Sequence, residues 1–265
     1  MGKSAWGIKE TMNNKHLLDI TEVTKKFGGV IALNRVTISI KEKELVGLIG
    51  PNGSGKTTLF NCITGTLRPE DGSILFHEDD ITNQKPHIIT LKGITRTHQL
   101  VHVFPKLTVF ENMMLGIIPH QGENLIKFFF NSREIQNLDR YNKEKALELL
   151  NFVGMQKLKD DYASNLSYGQ QKLLELAVAL MSSPKFLLLD EPLGGVNPTL
   201  INRIMDRITK LHESGLTLFV IEHNMHMIMT LSERIIVLDN GSVIAEGPPL
   251  EIQKNERVIE AYLGG

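Results

Sequence analysis

Residues 50–57 read Gly-Pro-Asn-Gly-Ser-Gly-Lys-Thr, which places Gly50, Gly55, Lys56 and Thr57 in the spacing G-x-x-x-x-G-K-[ST]. Glycines let the backbone turn its N–H groups inward, where bulkier side chains would block phosphate oxygens. Lys56 can reach β- and γ-phosphates, and the Thr57 hydroxyl can ligate Mg²⁺. Pro51, Asn52, Gly53, Ser54 and Thr58 complete the stretch that would surround the anion. The pattern therefore predicts a nucleoside triphosphate with its metal. A second group of reactive types, Asp190-Glu191, ends the apolar run Phe186-Leu187-Leu188-Leu189. Carboxylates emerging from a buried strand are costly without a nearby cation. Capping of the next turn is the simpler use for them, but a phosphate loop in the same chain favours the Mg²⁺-linked one.

The elements that must hold these groups can be read from periodicity. Leu45–Ile49 is a short apolar run, expected as a strand buried on both faces, and a helix over 57–64 should come after the loop with its positive end toward the anion. Upstream, 17–23 and 36–40 read as strands, with a turn at 25–29. Phe27 lies there in a position that could stack on a base or simply pack. Asp71-Gly72 reads as a turn before a strand over 73–76. From about 99 to 182 the pattern is mostly helical, clearest over 141–153, where Ala146, Leu149, Leu150 and Val153 share a face and Gly154 supplies the stop.

Further on, Ile201, Ile204, Met205, Ile208 and Leu211 form a helical stripe closed by Ser214-Gly215. A strand over 217–221 then ends in Glu222-His223. Residues 235–238 and 242–245 flank Asp239-Asn240-Gly241 as a hairpin, and a final helix is expected over 250–263. Met225, Ile228 and Met229 read as core. Phe128-Phe129-Phe130, between Lys127 and Arg133, could be core or a docking surface.

Composition is that of an ordinary globular protein, 42% apolar and 22% charged, and a net charge of −1 gives no reason to expect nucleic acid as a partner. The single cysteine, Cys62, rules out an internal disulfide framework. No apolar run approaches the length of a membrane span. Residues 1–16 lack the apolar segment of a secretion signal and read as a polar extension with Trp6 as its one large anchor. His98 and His102 are four apart and His223 and His226 three apart, but no cysteines or second matched pair join them, which argues against a transition metal.

The peptide Leu166-Ser167-Tyr168-Gly169-Gln170-Gln171, standing between the phosphate loop and the Asp190-Glu191 strand, resembles the signature of the ATP-binding cassette subunits of ABC transporters. Together with Gly194-Gly195-Val196-Asn197-Pro198 and the ending Ala261-Tyr262-Leu263-Gly264-Gly265, it looks like the branched-chain amino acid uptake branch. The resemblance runs from about Leu17 to the C-terminus. It departs from the general family pattern at Tyr168, where a glycine is usual, at Asn197, where most members have aspartate, and at His98, where an aromatic often precedes the glutamine.

This resemblance implies an α/β fold: a phosphate-loop nucleoside triphosphatase core with an antiparallel β subdomain, over 17–98 and 183–265, and an inserted helical subdomain over 99–182. It implies ATP and Mg²⁺ as ligands. Phe27 would stack on adenine, Gln99 would touch Mg²⁺ or the attacking water, and Asp190 would hold Mg²⁺ with Thr57. Glu191 would be the general base, His223 would contact the γ-phosphate, and Lys56 would bind the phosphates. Ser167, Gly169 and Gln170, at a helix start, would bind the nucleotide of a second cassette in a head-to-tail homodimer or heterodimer. The implied partners are integral membrane permease subunits and, indirectly, a periplasmic or extracellular solute-binding protein, with the chain peripheral on the cytoplasmic face of the membrane. Phe104 and Phe110, in the segment after Gln99, would line the groove that receives a permease helix, or else both would be core. A urea or lipid transport cassette, or a soluble cassette ATPase acting on DNA or ribosomes, is the alternative.

Overall fold

The computed structural model describes residues 15–118 and 132–263, with side chains from residue 136 onward in the second stretch. The N-terminal extension up to residue 14 with Trp6, and the Phe128-Phe129-Phe130 cluster with Lys127, lie outside the described residues. Two sheets organise the rest. The first is antiparallel, in the order β2-β1-β4-β5, from β1 (His16–Phe27), β2 (Val30–Lys41), β4 (Asp71–Phe76) and β5 (Asp79–Asp80). The second has six strands in the order β10-β9-β3-β8-β7-β6, from β3 (Leu45–Ile49), β6 (Ile94–Arg96), β7 (Phe186–Asp190), β8 (Thr217–Ile221), β9 (Arg234–Asp239) and β10 (Ser242–Gly247). All neighbours in it run parallel except β9 and β10, which form the expected hairpin.

Every residue of β3, β7 and β8 is buried, which is why these strands read as unbroken apolar runs rather than as alternation. One sheet face packs with β1, β2 and β4 around Phe60, Phe76, Phe186 and Phe219. The other packs on helices α3 (Val109–Leu115), α4 (Ser132–Phe152), α5 (Tyr168–Met181) and α6 (Pro198–Glu213). The helices α3 to α5 thus occupy the connection between β6 and β7 and pack on one another.

Several elements differ from the sequence expectation. β1 runs on to Phe27 and β2 starts at Val30, so the turn shrinks to Gly28-Gly29. Register shifts break the apolar alternation of β1, and Glu22 and Arg35, both left-handed, pair side chain to side chain beside them. Asp71-Gly72 is not a turn but the start of β4: Gly72, at φ 88°, passes so close to the backbone of Thr21 and Glu22 that a Cβ would lie 2.5 Å from it. Helix α1 (Lys56–Ile63) starts one residue early. A helix α2 (Pro86–Lys92) precedes β6, and α7 (Met225–Leu231) precedes β9 with Ile228 buried and Met225 and Met229 half-buried. The C-terminal helix is interrupted before Asn255, giving α8 (Pro249–Ile252) and α9 (Glu256–Leu263).

Candidate functional site

Because β3, β8 and β7 are adjacent and parallel, the residues after each strand emerge at one edge. Leu48 and Asp190 are both in register with Ile221, so Gly50, Glu222-His223 and Glu191 leave the sheet side by side. This is the position at which open parallel sheets bind ligands.

The phosphate loop bends through three glycines in conformations that side chains rarely adopt: Gly50 at φ 150°, Gly53 at φ 79° and Gly55 at φ 103°. A Cβ on Gly50 would stand 2.0 Å from the Leu238 carbonyl oxygen, and one on Gly55 2.5 Å from that of Ala32. The β9–β10 hairpin braces the loop further, since Gly241 N–H donates to Ser54 O at 3.1 Å. That role of the hairpin carried no signal in the sequence beyond its own turn residues. Lys56 is buried, and its ammonium donates to Gly50 O (2.8 Å), Pro51 O (2.9 Å) and Ser54 Oγ (3.3 Å). Burial pulls its pKa below the ordinary lysine value, against the opposing charges of Glu191 and Asp190. Thr57 is exposed at the start of α1, with Thr58 half-buried beside it. Phe27 is exposed, under the ammonium of Lys25, at the end of the β1–β2 hairpin whose Ala32 abuts Gly55.

Around the carboxylates the structure brings three predicted residues together. His223 Nε2 donates to Glu191 Oε1 at 2.7 Å, and Gln99 Nε2 donates to Glu191 Oε2 at 2.9 Å. Glu191 itself is left-handed, at φ 49°. Asp190, one residue earlier, is buried against a cation after all: Arg96 Nη2 donates to its Oδ2 at 2.5 Å, and Arg96 Nη1 to Asn61 Oδ1 at 2.6 Å. Arg96 sits on β6 next to β7, and nothing in its local sequence marked it out. Glu222, also buried, accepts from the N–H groups of Leu193 and His223, and burial raises its carboxyl above the usual range.

Among the described residues, Ser167, Gly169 and Gln170 of the signature peptide make no hydrogen bond or ion pair with Gln99, Glu191 or His223. Ser167 caps α5, accepting from Gln170 N–H while Gln170 Oε1 accepts from Ser167 N–H, a reciprocal box. Gly169 is buried where a Cβ would lie 2.6 Å from Leu200 on α6. Among the described residues, no hydrogen bond or ion pair joins Ser167, Gly169 or Gln170 to residues 50–58 of the same chain. Asn197, which replaces the usual aspartate, caps α6 by accepting from Leu200 N–H at 3.0 Å; either residue type serves as such a cap.

The oxygen donors among the predicted metal-holding residues are the Thr57 hydroxyl, the Asp190 carboxylate, whose Oδ2 is held by Arg96, and the Gln99 amide, a hard set that suits Mg²⁺ sharing its shell with phosphate and water. A separate cleft of about 390 Å³, lined by Leu17, Lys43, His77 and Lys185, opens at the opposite edge, at the strand N-termini, away from all of these groups.

Residues 33–194 match the ABC transporter family, and residues 242–265 match the branched-chain amino acid ATP-binding cassette transporter family. The chain is 37% identical over 252 residues, 95% of its length and 99% of the relative's, to the high-affinity branched-chain amino acid transport ATP-binding protein BraF of Pseudomonas aeruginosa. It is similar in structure to a nucleotide-free ATP-binding cassette from an ABC transporter, at TM-score 0.82 and 35% identity, covering 95% of this chain and 100% of that one. A dimeric cassette in a post-hydrolysis state, bound to ADP and Pi, superposes at TM-score 0.72 and 29% identity, covering 88% and 98%.

Proposed function

The chain belongs to the ABC transporter family, whose cassettes are ATPases coupled to transport, and from that premise we propose that it powers an importer of branched-chain amino acids. The observation that carries the catalytic part is the meeting of Gln99 and His223 on the Glu191 carboxylate, at the sheet edge that also launches the phosphate loop. The substrate is supported by the match of residues 242–265 and by the name of the P. aeruginosa relative.

In this reading residues 17–98 and 183–265 form the nucleotide-binding core and 99–182 the helical subdomain. Phe27 stacks on adenine, and loop N–H groups with Lys56 bind the phosphates. Thr57, Asp190 and Gln99 are the residues that would hold Mg²⁺, which, when bound, offsets charge on the phosphate oxygens. Glu191 takes a proton from water as its oxygen bonds to the γ-phosphorus and the bond to the β–γ bridging oxygen breaks, leaving ADP and phosphate. In the present geometry each Glu191 oxygen accepts one hydrogen bond, from His223 or from Gln99, and keeps a second lone pair able to take the proton.

Ser167, Gly169 and Gln170 face the nucleotide of a second cassette, the same chain or a related one, in the head-to-tail dimer; that a similar cassette bound to ADP and Pi is dimeric supports the pairing of two cassettes. No described helix is long and apolar enough to cross a membrane. In this reading the chain sits peripherally on the cytoplasmic face, bound to permease subunits that receive solute from a binding protein. Reconstitution with such subunits in vesicles tests the proposal. Labelled leucine should accumulate only with ATP, and hydrolysis that drives urea or lipid but not leucine would overturn the solute assignment.

A further inference from the structure

One face of the signature helix carries a set of contacts that the catalytic reading does not use. Tyr168, Lys172 and Glu175 stand at i, i+4 and i+7 of α5, stacked toward the segment that leaves β6. The Lys172 ammonium is buried and directs its three donors at main-chain carbonyls: Gln99 O at 2.7 Å, His98 O at 3.2 Å and Glu191 O at 3.4 Å. Glu175, buried one turn later, accepts from His98 N–H at 3.0 Å. His98 is thus gripped at both its N–H and its C=O by one helix. Tyr168 adds its hydroxyl to Gln99 O at 3.4 Å, and its ring lies under Lys172 and against Gly195, where a Cβ would come within 3.1 Å.

Burying a lysine and a glutamate carries a desolvation penalty that a helix–sheet contact made of leucines would avoid. The Lys172 ammonium does something packing cannot: it joins the main chains of Gln99 and Glu191, 92 residues apart in the chain and each beyond the end of its own strand, through a single point. We propose that Lys172 is a positioning residue for hydrolysis, fixing the backbone of Gln99 and of Glu191 to the signature helix with the help of Glu175, so that the Gln99 amide and the Glu191 carboxylate meet. This deepens the reading of Glu191 as general base and rests on it. It also gives Tyr168 and His98, two of the departures from the family pattern, a shared place in the same clamp. Because Ser167 caps α5, an anion docking there from a partner cassette would pull on the residues that hold Gln99.

The test uses the full chain with two variants, Lys172→Met and the double variant Lys172→Met/Glu175→Gln. The double variant removes both buried charges while glutamine Oε1 still accepts from His98 N–H, so it guards against simple unfolding. Equilibrium binding of ATP and kcat for hydrolysis are measured on each, beside Glu191→Gln. The proposal expects the double variant to bind ATP within about threefold of wild type while kcat falls about tenfold or more, since small misplacement of reacting groups is costly in rate. A double variant with kcat near wild type, or one whose kcat and ATP affinity fall in step, overturns it while the loss in Glu191→Gln leaves the general base standing. Should Glu191→Gln itself turn over normally, the general-base reading fails, and the positioning role that rests on it falls with it.

Discussion

His223 donates from Nε2 to Oε1 of Glu191 across 2.7 Å, joining the residues that come after two neighbouring parallel strands. Glu191 reaches this position from a left-handed backbone, a conformation that costs about 1–3 kcal/mol for a residue with a side chain. Such strain is kept where the side-chain direction matters. Glu191→Gln is isosteric and can still accept at Oε1 but cannot take a proton from water. It should lose about 10²-fold or more in turnover, the usual weight of general-base catalysis, while binding ATP normally. The variant should also accumulate as a dimer with ATP, seen by light scattering, and adding Ser167→Arg should return it to monomer. Near-normal steady-state hydrolysis by Glu191→Gln would remove the assignment.

Gly50 and Gly53 separate two kinds of glycine requirement. Both lie at positive φ, but only at Gly50 does backbone, the Leu238 carbonyl, block a Cβ. Gly50→Ala should therefore displace the loop and weaken ATP binding by at least about tenfold, with a stability loss of about 1–3 kcal/mol. Gly53→Ala has open space around it and should show only the backbone penalty, about 1–2 kcal/mol. Equal effects on ATP binding would contradict the loop geometry.

Arg96 and Asp190 form a pair with side chains 8% and 3% exposed. Removing one partner leaves a buried charge alone, which costs about 3–5 kcal/mol. Arg96→Met should lower the urea midpoint by a corresponding amount, and Arg96→Met/Asp190→Asn should recover part of it. If the single variant is as stable as wild type, Asp190 finds another cation and Arg96 is dispensable.

Acid sensitivity has an identifiable contributor at the other end of the sheet. Burial works to raise the Glu44 carboxyl, but hydrogen bonds from Arg234 and from Lys41 N–H, with the charge of Arg234, outweigh it and hold the group below its ordinary value. A carboxylate depressed in the folded state adds stability above its unfolded pKa and loses it as pH falls through the folded one. Stability of the wild type should thus fall below about pH 4.3, the ordinary glutamate value, and Glu44→Gln should show a shallower fall. The difference between the two urea-midpoint profiles is the measurement, and parallel profiles would exclude Glu44 as a source.

How far each group was legible in the sequence depends on what positions it. β3, β7 and β8 are buried on both faces, so their apolar runs and the reactive residues after them stood out together. Lys172 and Glu175 lie on a helix where charged residues usually face water, and only tertiary contact shows that they turn inward. Arg96 reaches Asp190 from an adjacent strand, a relation set by strand order, which no local pattern encodes. The lengths of β1 and β2 were obscured because bulges interrupt their alternation.

The segment after Gln99 divides two phenylalanines that the sequence alone places together on one docking surface. Phe104 is 58% exposed, and Asn112 pins its main chain by accepting from its N–H (2.8 Å) and donating to its carbonyl (3.1 Å). Phe110 instead packs on the core beneath the helices. An exposed aromatic on a backbone held this firmly is suited to enter a groove of a permease subunit, whereas a packed one is part of the fold. Phe104→Ser should therefore leave melting temperature and the ATPase activity of the isolated chain close to wild type and reduce uptake in reconstituted vesicles severalfold. Phe110→Ser should lower stability by about 2–4 kcal/mol, with activity and uptake falling together. If Phe104→Ser transports normally, the permease contact lies elsewhere on the chain.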